Sequence, residues 1–209
     1  AWQAASMTYP LTTGFHWGAL DFQWFIEGCI SAPKVAGTKS GFHDVERFIT
    51  LPPHPGTDNI GIPEYVSAVV GGKDLEGTTP LEVAAQLRRN GLRVKRAVVD
   101  LSRHEVDDPE FERTLSDIVS MGVLGQYYAH KIEGATMLAM FRRTGDADTK
   151  SKAVIHMEAA QELWGAYTEL AAGKYKNPLW TNRVGYVDWK ELEGEVAKDV
   201  EIVKAAKKN

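Results

Sequence analysis

The sequence predicts a mainly α protein: an up-down antiparallel bundle of about four helices, preceded by an irregular aromatic-rich segment holding a short strand and a helix. Three observations carry this. Gly, Pro and aromatic residues crowd the chain up to about residue 77, and apolar residues then recur at helical spacing almost to the end. The helical stretches open on capping residues followed by Pro or Glu. The link Thr144-Gly145-Asp146 is so short that the helices beside it must fold back on each other.

Taken from the N-terminus, Met7 to Trp17 (MTYPLTTGFHW) carries β-formers interrupted by Pro10 and Gly14, which predicts a short strand ending at His16-Trp17. Ala19 to Ile30 reads as one helix, with Leu20, Trp24 and Phe25 turned inward, and residues 31–40 read as loop. Asp44 to Phe48 reads as a single helical turn. LPPHPGTDN is irregular because three prolines and a glycine break both ladders. Ile62-Pro63 leads into a short helix, EYVSAVVGG. The loop formers GGKDLEGTTP, 71–80, divide the chain into an aromatic and Pro/Gly-rich part, 1–77, and a helical bundle, 78–209.

The first bundle helix opens at Thr79-Pro80-Leu81-Glu82, where Thr79 caps, Pro80 suits the first helical position and Glu82 completes a capping box. The second runs from Asp108-Pro109 to Thr144, with Gly145 just past its end. The third is capped by Asp146 and ends near Gly173, with Val154, Met157, Ala160, Leu163, Trp164 and Tyr167 inward. The fourth starts at Asp188-Trp189-Lys190-Glu191 and turns Leu192, Val196, Val200 and Val203 inward; the cations of KAAKKN suit its C-terminal dipole.

Composition narrows the function classes. Among 209 residues, 24 Lys and Arg against 28 Asp and Glu give a net charge of −4, which argues against a nucleic-acid surface. No apolar run approaches the roughly 20 residues of a membrane span. The single cysteine, Cys29, forms no internal disulfide and reads as a small buried hydrophobe. The start at Ala1-Trp2, without an initiator Met, is what a processed protein or a piece of a longer one is expected to show.

Three clusters hold residues able to do chemistry. In TTGFHWGALDFQWF, His16, Trp17, Asp21 and Trp24 crowd together. A strand delivering His16-Trp17 into a helix is how a βα unit of a barrel reaches its active face; aromatic rings there stack on sugar faces while His and Asp bond hydroxyls. The same residues read equally as packed core. The second cluster is His43, Asp44 and Glu46, with His54 in the proline loop beyond; Asp44 doubles as a helix cap. In the bundle, Tyr127, Tyr128, His130 and Glu133 oppose His156, Glu158 and Glu162. Di-iron bundles use Glu-x-x-His on paired helices; here the order is reversed, and His156-x-Glu158 points its members to different sides, so no metal and no cofactor is expected. Phosphate-loop, dinucleotide, nucleophile-elbow and zinc spacings do not occur.

GFHWGALDFQWFIEGC and GFHDVERFITLPPHPG, together with YYAHKIEGATMLAMFRRTGDADTKSKAVIHMEAAQELWGAY and RVGYVDWKEL, resemble the C-terminal regions of large bacterial carbohydrate-active, glycoside hydrolase-like proteins. In those proteins the end of a barrel is followed by a helical domain. The resemblance implies that His16 and Trp17 line a glycan subsite and that the location is periplasmic or extracellular; with the clusters above, residues 12–48 are expected to contact the glycan, with His16, Trp17, Asp21, Trp24, His43 and Asp44 as substrate-binding residues. It also implies a protein partner, the missing N-terminal part or another copy. A hydrolase needs two carboxyls flanking the bond, and Asp21, Glu27, Asp44 and Glu46 are the candidates near the aromatics, none singled out. The competing classes are a non-enzymatic helical interaction domain and, third, a metal-containing bundle.

Overall fold

The computed structural model describes residues 1–16, 30–37, 39–104, 106–181 and 184–209. Its first helices are short: α1 (Trp2–Ser6), α2 (Thr8–Phe15), α3 (Pro33–Ala36), α4 (Val45–Thr50) and α5 (Ile62–Gly71). Long helices follow, α6 (Pro80–Leu101), α7 (Pro109–Thr144) and α8 (Ala147–Lys174). A hairpin of β1 (Leu179–Thr181) and β2 (Gly185–Val187) then leads to α9 (Leu192–Ala205). The fold is mainly α.

The long helices begin and end where local chemistry dictates. At α6 the capping box is complete: Thr79 Oγ1 accepts from Glu82 N–H at 3.3 Å, and the Glu82 carboxylate accepts from Thr79 N–H at 2.8 Å. Asp108 and Asp146 cap α7 and α8 by accepting backbone N–H at 2.9 Å and 3.0 Å. Gly145, at φ 79°, ends α7, and its N–H closes onto Phe141 C=O at 2.7 Å. That left-handed residue reverses the chain directly into α8.

Helix α7, 36 residues and about 54 Å long, is the central post. It packs against α8, α6, α4, α5, α1 and α2, and α9 lies against α8. Along its inner side Tyr127, Tyr128, Ile132, Ala135 and Leu138 are buried against Met157, Ala160 and Trp164 of α8. Each fully buried Leu or Ile there contributes about 1.5–3 kcal/mol. The same core takes in Phe15, Ile30, Phe42, Phe48 and Val66, so residues on both sides of Gly77 share one apolar interior. Among the described residues, no helix is long and apolar enough to cross a membrane.

Four segments differ from the sequence expectation. Residues 8–15 are helix, not strand. Pro10 is the third residue of α2, where its absent N–H breaks no intrahelical bond, and Thr8, Thr12 and Phe15 form the buried stripe. The barrel-like delivery of His16-Trp17 from a strand therefore does not occur. Of the helix expected over 19–30, residues 19–29 lie outside the described residues, and Ile30 is extended in an antiparallel bridge to Phe42. Pro33–Ala36 forms one helical turn where loop was expected. Finally, α9 begins at Leu192, not Asp188. Asp188 instead accepts from Lys190 N–H at 2.9 Å in a preceding turn, and the hairpin before it was not anticipated.

Candidate functional site

The candidate site lies where α2 ends and α4 begins. His16 follows the last turn of α2, its N–H bonded to Thr12 C=O at 2.8 Å, and leaves in an extended conformation. Its ring stacks on Phe48 at 3.9 Å between centroids. His16 Nε2 lies 2.8 Å from His43 Nδ1, and His43 Nε2 lies 2.8 Å from Ser31 Oγ. All three residues are buried. The chain reads in either direction: one neutral tautomer of His43 donates to His16 and accepts from Ser31, and the other does the reverse.

Beneath this chain lies a buried ion pair. Lys131 Nζ donates to His43 C=O at 2.6 Å and to Tyr127 Oη at 3.2 Å, and sits 2.9 Å from Asp199 Oδ2. Asp199 Oδ1 accepts from Val45 N–H at 2.7 Å. The ammonium also lies over the Phe42 ring, 4.2 Å from its centroid. One lysine thus joins α7, α9 and the start of α4.

Electrostatics follow from this enclosure. Burial, reinforced by Arg47 and Lys131, pushes His43 down to about 3. Burial, His43 and Lys131 hold His16 well below the usual imidazole range. Both rings are therefore neutral at pH 7 and too weakly basic to take a proton from a substrate. Ser31, His43 and His16 have the order of a nucleophile, a base and an orienting group, but their burial and low basicity make them a structural clasp.

What the clasp joins decides its meaning. His16 immediately precedes residue 17, and Ile30 and Ser31 immediately follow residue 29. Ser31 N–H donates to Gly41 C=O at 2.9 Å, and the Ile30–Phe42 bridge lies alongside. His16 on one side of 17–29 and Ile30 and Ser31 on the other thus belong to one buried node. Trp17, Asp21 and Trp24 belong to that stretch and lie outside the described residues. His16, His43 and Asp44 are brought together, but His16 and His43 are fully enclosed. Asp44 is the N-cap of α4, accepting from Arg47 N–H at 2.9 Å. Glu46 forms a two-pronged pair with Arg142, and His54 lies in the exposed proline loop, its Nδ1 2.6 Å from Pro55 C=O.

A second constellation lies further along α7. His130 Nδ1 is 3.2 Å from His156 Nδ1, and His156 Nδ1 is 3.1 Å from Glu133 Oε2. Arg88 of α6 reaches the same Glu133 oxygen. Burial, then Arg88, then His156 lower His130 to about 4, and burial and Arg88 also lower His156. Glu158 points elsewhere and pairs with Lys204 at 3.0 Å. The reversed order on α7 does not prevent convergence, because α7 supplies two of the three groups and His156 alone completes the set.

The hairpin adds residues that the sequence reading passed over. Trp180 stands opposite Tyr186 across the two strands, 60% and 75% exposed. Their signal was a pair of aromatics around a turn, obscured by strands of only three residues.

No family model matches the chain, and no curated protein matches it. Among solved structures, a GH138 enzyme targeting pectin rhamnogalacturonan II superposes with a TM-score of 0.73 at 15% sequence identity. The match covers 97% of this chain and 30% of that enzyme's chain. The chain therefore shares its fold with part of a carbohydrate-active enzyme.

Proposed function

We propose that this chain is the helical, C-terminal part of a glycoside hydrolase-like protein, and that it presents an aromatic segment within residues 12–48 to a glycan. The observation that supports this most is the fold likeness. Nearly the whole chain follows a segment amounting to 30% of an enzyme that targets a pectic glycan. The clasp of His16, His43 and Ser31 supports it locally, because it holds the residues that flank the stretch carrying Trp17, Asp21 and Trp24. In this reading His16 and His43 act as supports, while Trp17 and Trp24 stack on sugar rings and Asp21 bonds hydroxyls. Asp44 holds the start of α4, next in sequence to His43.

The test is calorimetric titration of the chain with pectic oligosaccharides, rhamnogalacturonan II fragments first. Binding that weakens at least tenfold in both Trp17→Ala and Trp24→Ala is expected. Equal affinity in wild type and both variants would overturn the assignment of the segment.

A second reading, a helical interaction domain, is favoured by one specific observation: Trp180 and Tyr186 project from the hairpin. Exposed aromatics of this kind anchor protein interfaces. In this reading the partner is the remainder of the larger protein or a second copy of the chain. Self-association on sizing that Trp180→Ala abolishes, with no response to any oligosaccharide, is the outcome that favours it.

A further inference from the structure

The convergence of His130, Glu133 and His156 is not used by the clasp or by the aromatic segment. His130 and Glu133 are three residues apart on α7 and so share a face, and His156 meets them from α8. Their nearest ligand atoms all lie within 4.8 Å of one another. The two short edges, 3.2 Å and 3.1 Å, are close to the edge of about 3.3 Å that a tetrahedron with bonds of 2.0–2.1 Å requires. All three groups are half-buried.

The backbone is shaped for this approach. A Cβ on Gly134, the residue after Glu133, would lie 2.7 Å from Met157 Cε and 3.3 Å from His156 Cβ. Glycine at this position lets α8 pass close to α7 beside His156. Arg88 occupies the carboxylate from the third helix, yet its side chain is 38% exposed and its Nε has no hydrogen-bond partner among the described residues. It is a partly exposed cation paired with Glu133.

We propose that His130, Glu133 and His156 form a divalent transition-metal site between α7 and α8, with Arg88 as the internal cation that the metal displaces. Two imidazoles and one carboxylate with an open position suit Zn²⁺ and the neighbouring ions Co²⁺, Ni²⁺ and Cu²⁺, and not Mg²⁺ or Ca²⁺, which prefer all-oxygen shells. The open position would take water or an oxygen of a ligand.

The test is titration of Zn²⁺ into the full chain after chelator treatment and chelator removal, read by calorimetry. One equivalent is expected. Affinity should fall by at least about 10-fold in His156→Ala and in Glu133→Gln, since outer-shell partners alone are worth that much. Arg88→Ala should bind Zn²⁺ a few-fold more tightly, the size of a partly exposed ion pair. Absence of saturable binding in both wild type and Arg88→Ala would overturn the site. So would unchanged affinity in His156→Ala that circular dichroism shows to be folded. Should the ligand variants fail to fold, Co²⁺ added to wild type decides: intense visible bands of a tetrahedral ion support the site, and their absence refutes it.

Discussion

Removing the carboxylate of Asp199 should damage this fold more than removing any exposed charge. Lys131 Nζ is fully buried and Asp199 nearly so, and they lie 2.9 Å apart. In Asp199→Ala the ammonium keeps His43 C=O, Tyr127 Oη and the faces of Phe42 and Phe48, but none of these carries a compensating negative charge. Breaking a buried pair from one side costs about 3–5 kcal/mol. The Val45 N–H at the start of α4 also loses its acceptor, which places this variant at the upper end. Lys131→Met should cost less, because burial already pushes the Asp199 carboxyl up and a proton then neutralises it. The double variant Lys131→Met, Asp199→Ala removes both members of the pair together. Its loss should fall short of the sum of the single losses by at least about 2 kcal/mol. Urea unfolding followed by far-ultraviolet circular dichroism measures all three, and in thermal scans the Asp199→Ala loss corresponds to a drop of about 10 °C in Tm. A loss under about 1 kcal/mol for Asp199→Ala, or a strictly additive double variant, would refute the reasoning.

Other outcomes follow from the same geometry. Stability should fall on acidification below about 6.5. Unfolded His16 and His43 take up protons there that the folded rings refuse, and the fall continues towards about 3, each ring contributing up to tenfold in the folding constant per pH unit. Urea midpoints at pH 7 and pH 5 measure this, and His43→Gln should flatten the slope. Gly41→Ala should cost about 3 kcal/mol by urea unfolding, since a Cβ there meets Ser31 C=O at 2.1 Å and the residue lies at φ 74°. In Thr8→Val, which removes the bond to Met121 C=O at 3.0 Å, a loss of about 1 kcal/mol is expected by urea unfolding.

The bundle was legible in the sequence because its helices announce themselves in adjacent residues. Thr79-Pro80-Leu81-Glu82, Asp108-Pro109 and Gly145-Asp146 each satisfy or terminate local backbone groups, so no distant partner is needed to read them. Helix α2 was misread for the opposite reason. Its buried stripe includes Thr8 and Thr12, polar residues, and Thr8 packs on α7 beside Gly125, over a hundred positions away. The hairpin strands are too short to show alternation. The candidate site was half legible. His16 and His43 do meet, but what lowers their basicity is burial in the shared core, together with Arg47 close by and Lys131 from α7, nearly ninety positions from His43. His130, Glu133 and His156 were visible as chemistry, yet their convergence depends on the height at which α8 crosses Gly134.

Hydrogen–deuterium exchange of the intact chain, with and without a bound pectic oligosaccharide, tests the central claim most directly. Ligand-dependent protection of peptides within residues 12–48 is the predicted result, with the hairpin at 179–187 unchanged. Protection confined to the hairpin, or no protection anywhere at a saturating oligosaccharide concentration, would contradict it.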